Sequence, residues 1–201
     1  MPKRLFCYNE IRKRCTSFEY LSLEKVFMIA IKNGKVILEN EVVLGKAVLF
    51  TDKIVGIVDE AEIRADAEVI DAEGGYVSPG FIELHIHGYL SKDVCDATEE
   101  SMRIISKGIL ENGVTAYLST TMTVDLLTVR SALEVCRKLM KEDDFDGSAI
   151  LGVHAEGPFI SKSKKGAQDP KYILKPDASF VKKYADIIKI ITLAPEEDTE
   201  D

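Results

Sequence analysis

The chain has 201 residues, 46% hydrophobic and 30% charged, with 34 acidic against 26 basic side chains and a formal net charge of −8. This composition excludes a disordered or fibrous chain and offers no field for non-specific nucleic-acid binding. The length suits one or two domains and falls short of the roughly 250 residues of a complete (β/α)8 barrel.

Residues 1–26 show no clean hydrophobic period and read as a poorly defined leader, a short helix or a frayed segment. Their basic residues Lys3, Arg4, Arg12, Lys13 and Arg14 read as a solvated terminus. From there the pattern turns to short β-rich runs: Val26–Ile31, Lys35–Leu38, Glu41–Leu44, Ala47–Thr51, Lys53–Val58, 68–71 and 75–77. Asn33-Gly34 carries a strong hairpin signal. After Ser78-Pro79-Gly80 the rhythm becomes strand then helix. Strands are predicted at Phe81–His85, Val114–Ser119, Ala149–His154 and Ile187–Leu193. Helices are predicted at Thr98–Asn112, Asp125–Met140 and Pro176–Tyr184, with Thr98 as an N-cap. That alternation predicts parallel βαβ units, which fit either part of a barrel or an open doubly wound sheet. No apolar run reaches 18 residues, so no membrane span is expected. Cys7, Cys15, Cys95 and Cys136 form no CxxC pair or disulfide framework, which fits reduced thiols and a cytoplasmic setting.

The chemistry concentrates in three histidines and one glutamate. His85 and His87 flank Ile86 at the end of the first predicted barrel-type strand. Residues two apart on a strand share a face, so both imidazoles can converge on one ion such as zinc, iron or cobalt. His154-Ala155-Glu156-Gly157-Pro158-Phe159 ends another apolar strand. Glu156 offers an anionic oxygen to the same ion, and Gly157-Pro158 turns the chain away from it. His154 reads either as a contact beside the metal site or as a structural polar group. Glu83, two residues before His85, reads as an acid below the metal that orients an imidazole. Lys162, Lys164 and Lys165 form a basic run on a long loop, and Asp93 and Asp96 follow the first strand. No P-loop or dinucleotide pattern is present.

Three stretches together carry a resemblance. They are Pro79–Gly88 (PGFIELHIHG), Gly152–Ile160 (GVHAEGPFI), and Lys165-Gly166-Ala167-Gln168 with Thr192-Leu193-Ala194-Pro195-Glu196. From about residue 27 to residue 201 the chain resembles the N-acetylglucosamine-6-phosphate deacetylase family of the amidohydrolase superfamily. The resemblance implies an α/β chain: the first half of a metal-dependent (β/α)8 TIM barrel preceded by a small β-sandwich domain. On it, residues 27–78 are the N-terminal part of the sandwich, and 79–201 are the first four β/α units of a truncated barrel. It also implies hydrolysis of the acetamide of an amino-sugar phosphate, with one or two divalent ions (Zn, Fe or Co) in a complete site. Glu156, His85 and His87 fall on metal-ligand positions, and Ala167 and Gln168 on a substrate-contacting pair. Gln168 stands where histidine is common, and Glu83 where aspartate is usual.

The family's further metal histidines and its general-base aspartate come from later strands. No histidine follows His154, so that aspartate is expected beyond Asp201 and no catalytic residue is assigned. The resemblance implies a homodimer at full length and no nucleic-acid or membrane partner. The 201 residues alone are expected to be inactive. The competing readings are a different amidohydrolase, acting on a cyclic amide or as a deaminase, and a non-catalytic fragment or interaction remnant.

Overall fold

The computed structural model describes residues 5–6, 28–142 and 145–198. Apart from residues 5 and 6, the leader 1–26 lies outside them. The chain divides into two compact units, Met1–Gly80 and Phe81–Asp201.

The first unit holds two four-stranded sheets. One has the order β1-β8-β3-β4, from Leu5–Phe6 (β1), Tyr76–Val77 (β8), Lys35–Ile37 (β3) and Val42–Val43 (β4). The other has the order β6-β5-β2-β7, from Ile54–Asp59 (β6), Lys46–Phe50 (β5), Ile29–Lys32 (β2) and Glu68–Asp71 (β7). Leu5–Phe6 pairs in parallel with Tyr76–Val77, a strand that the mixed leader sequence does not announce. The core joins both sheets through Ile29, Ile31, Val36, Phe50, Ile70, Ala72 and Val77.

The Asn33-Gly34 signal marks a turn but not a hairpin. β2 pairs with β5 and β7, whereas β3 pairs with β4 and β8. The chain therefore crosses from one sheet to the other at this turn. The Asn33 backbone N–H donates to Glu60 Oε1 at 2.7 Å, and its side-chain amide donates to Asp71 Oδ1 at 2.8 Å. These contacts, distant in sequence, override the local hairpin geometry.

The second unit is a parallel sheet of order β9-β12-β13-β14, from Phe81–Ile86 (β9), Val114–Thr120 (β12), Ala149–Glu156 (β13) and Ile188–Thr192 (β14). Three helices connect successive strands: Glu99–Leu110 (α1), Leu126–Leu139 (α2) and Ala178–Lys183 (α3). Each starts on a side-chain cap, with Thr98, Asp125 and Asp177 accepting first-turn backbone N–H groups. In α2, Val129, Ala132, Leu133, Cys136 and Leu139 recur at helical spacing and face the sheet, where Tyr117 and Val153 meet them in one buried cluster. The arrangement is a partial barrel of four parallel strands and three connecting helices. Among the described residues β9 and β14 are its edges, and Phe81, Ile82 and Leu84 of β9 are exposed.

Between β9 and α1 lies a small antiparallel ladder, Gly88–Tyr89 (β10) against Lys92–Asp93 (β11). Val94 N–H closes back on the His87 carbonyl at 2.7 Å. This piece holds the segment leaving the His-x-His pair.

Candidate metal centre

β9 and β13 deliver the chemistry at their C-terminal ends, the face on which α/β barrels carry their sites. β12 lies between them. It ends in the small residues Ser119 and Thr120, followed by Thr121, all buried, which leave room for longer side chains from either side to meet. Thr120 Oγ1 also accepts the Ile86 backbone N–H at 2.9 Å, fixing the strand between the two histidines.

His85, His87 and Glu156 form one cluster. Glu156 Oε2 stands 2.9 Å from His85 Nε2 and 3.2 Å from His87 Nε2. The two Nε2 atoms are 3.2 Å apart. Tetrahedral zinc with ligands at about 2.0–2.2 Å separates its donors by roughly 3.3 Å, so this triangle matches such an ion with a small expansion. The donor set, two imidazole nitrogens and one carboxylate oxygen, suits a divalent ion such as zinc. Glu156 Oε2 is buried and takes no well-aligned hydrogen bond. Such an atom is costly to leave unmatched, and a cation matches it. The residues present therefore fit a divalent metal ion, as expected from the period-two spacing.

Around the triangle the structure sorts the remaining expectations. His154 does not join the ligands. Its Nδ1–H donates to the Leu84 carbonyl at 3.0 Å, and its Nε2 lies within hydrogen-bonding distance of Thr192 Oγ1 at 2.8 Å. With both nitrogens engaged, it supports His85 as a ring packed edge-on at 4.8 Å. Glu83 touches no imidazole nitrogen. Its carboxylate instead accepts the His85 backbone N–H at 3.0 Å, so it braces the main chain rather than a ring.

Gln168 lies beside the triangle. It is 5% exposed, and its amide is already engaged on both ends. Its Nε2 donates to Glu156 Oε1 at 2.9 Å, and its Oε1 accepts the Thr123 backbone N–H at 2.6 Å. Its neighbour Ala167 is exposed on the loop after β13. Asp93 and Asp96 are turned to local backbone and to Ser101, away from the triangle. Thr123, absent from the sequence reading, earns a place through its main-chain N–H, which side-chain chemistry cannot reveal.

Four parallel strands joined by three helices, with two histidines leaving the first strand and a glutamate ending the third, form part of an α/β barrel with a candidate metal centre at its strand ends. Over most of its length the chain is similar to proteins named N-acetylglucosamine-6-phosphate deacetylase. It is 36% identical over 178 residues to the N-acetylglucosamine-6-phosphate deacetylase of Bacillus subtilis, a match covering 85% of this chain and 45% of that protein. It is 39% identical over 132 residues to the deacetylase of the same name from Lysinibacillus sphaericus, covering 64% of this chain and 34% of the other. Among solved structures, the N-acetylglucosamine-6-phosphate deacetylase of Pasteurella multocida superposes with a TM-score of 0.78 at 31% identity, over 86% of this chain and 46% of that one. The chain thus spans less than half the length of the relatives it matches. No protein-family model matches it. No helix of the described residues is long and apolar enough to cross a membrane.

Proposed function

We propose that this chain carries the metal-binding part of a deacetylase that hydrolyses the acetamide of N-acetylglucosamine 6-phosphate, giving glucosamine 6-phosphate and acetate. The observation that carries the reading is the triangle of His85, His87 and Glu156 at the strand ends of a partial barrel. The relatives' shared activity supports the substrate class.

His85 and His87 present Nε2 lone pairs, and Glu156 presents one carboxylate oxygen. Zinc, iron or cobalt suits that set. A divalent ion bound by these three residues would supply Lewis acidity toward an amide carbonyl and a water. The chain's own work is to orient. Thr120 fixes the strand between the histidines, Glu83 holds the His85 amide, and His154 packs against the His85 ring. Amide cleavage also needs a carboxylate that takes a proton from water and returns it to the leaving amine. Among the described residues no further Asp or Glu joins the triangle.

The test is a chimaera in which this chain is continued by the C-terminal part of the Bacillus subtilis relative that lies beyond the match. Acetate release from N-acetylglucosamine 6-phosphate is expected, with loss on Glu156→Ala. A folded, metal-loaded chimaera without acetate release contradicts the reading. So does one that keeps full activity after Glu156→Ala.

A further inference from the structure

Gln168 links three parts of the second unit that are far apart in sequence. It closes the loop after β13, twelve positions beyond Glu156, and reaches back to it while also meeting the segment after β12. The direction of the amide follows from chemistry. The Thr123 N–H can only donate, so the oxygen of Gln168 faces it, and the NH2 group therefore faces Glu156. The donor lands on Oε1, whereas Oε2 points at the two imidazole nitrogens. The two oxygens of one carboxylate thus have different tasks.

We propose that Gln168 is a positioning residue that holds Glu156 to single-oxygen coordination. With Oε1 held by a buried amide, the carboxylate offers the ion Oε2 alone, and coordination positions stay free for water and substrate. The inference rests on the metal reading of the triangle and gives Gln168 a role other than substrate contact. A carboxylate without the clamp can rotate and chelate through both oxygens, which fills one of those positions. Hydrogen-bond partners of metal ligands commonly tune affinity by about 10- to 100-fold when removed.

Cobalt(II) is the probe, because its visible bands are strong at four-coordination and weak at higher coordination. Titrating the wild-type 201-residue chain with cobalt alone is expected to give strong bands and saturable binding. Gln168→Met keeps the volume and removes both hydrogen bonds. It is expected to bind cobalt about 10- to 100-fold more weakly, with bands of lower intensity. A merely structural Gln168 predicts lower thermal stability of the metal-free protein with unaltered affinity and bands, and that result overturns the clamp. If Gln168→Met does not fold, Gln168→Glu retains the acceptor for Thr123 N–H and loses only the donor to Glu156. Its cobalt spectrum is expected to change, and a spectrum identical to wild type overturns the proposal. Failure of the wild-type chain to bind cobalt overturns the metal reading and the clamp with it. Wild-type binding with an unaltered Gln168→Met overturns the clamp alone.

Discussion

Gly157→Ala tests how tightly the turn after Glu156 is built. Gly157 has φ +71°, in the left-handed region. A methyl there would stand 2.1 Å from Thr123 Oγ1 and 3.2 Å from Thr123 Cβ. Thr123 is 2% exposed, so its hydroxyl can rotate away but its branched Cβ has little room to yield. The backbone conformation alone costs a non-glycine residue about 1–2 kcal/mol. Forcing a methyl into packed surroundings adds about 1–3 kcal/mol. Gly166 provides the control within the same unit: its φ is +59°, and nothing lies within 4 Å of an added methyl. Gly166→Ala should therefore lose only the backbone part, about 1–2 kcal/mol, and Gly157→Ala about 2–5 kcal/mol. Urea denaturation followed by far-ultraviolet circular dichroism measures both. Because Thr123 N–H holds Gln168, which holds Glu156, Gly157→Ala should also weaken metal binding about tenfold or more. Equal stability losses for the two variants, with wild-type metal affinity in Gly157→Ala, would refute the reasoning.

Two further predictions concern the rest of the second unit. Burial pushes the Cys95 thiol up to about 11 and the Cys136 thiol up to about 12, so neither is a thiolate near neutrality. In a C7S/C15S background the native chain should react with an aromatic disulfide reagent at pH 8 only after denaturant is added, and rapid native labelling would contradict that burial. The Asp125 carboxylate, bonded to the Thr128 hydroxyl and then its N–H, is held below the ordinary value of 3.8. A depressed carboxylate stabilises fully above the unfolded value and loses that contribution as pH falls through the folded one. Asp125→Ala should therefore lower the urea midpoint clearly at pH 7 and by less at pH 3, and an equal loss at both would count against the cap.

The parts of the site that follow a period were legible in the sequence. His85 and His87 sit two apart at the exit of an apolar strand, and Glu156 ends the similar run Ile150-Leu151-Gly152-Val153. Strand geometry alone carries those three side chains to one end of the sheet. The helices were legible through their alternation with the strands, the first also through the cap at Thr98. What escaped was set by contacts between distant segments. Asn33-Gly34 looks like a hairpin, but Asp71 and Glu60 convert it into a crossing between sheets. The β10–β11 ladder turns at Leu90 and Ser91, both at positive φ (51° and 61°), without the Gly or Asn that marks such a turn. Gln168 could be placed near the site by resemblance. Its bonds to a main-chain N–H and to Glu156 depend on how a long loop folds back, which no local pattern encodes.

The central claim is that His85, His87 and Glu156 hold one divalent ion. Isothermal titration of the metal-free chain with zinc tests it most directly. One ion per chain is expected, with binding lost in Glu156→Ala and in the double variant His85→Ala/His87→Ala while circular dichroism remains that of the folded protein. Zinc binding of unchanged stoichiometry and affinity in those variants would contradict the account.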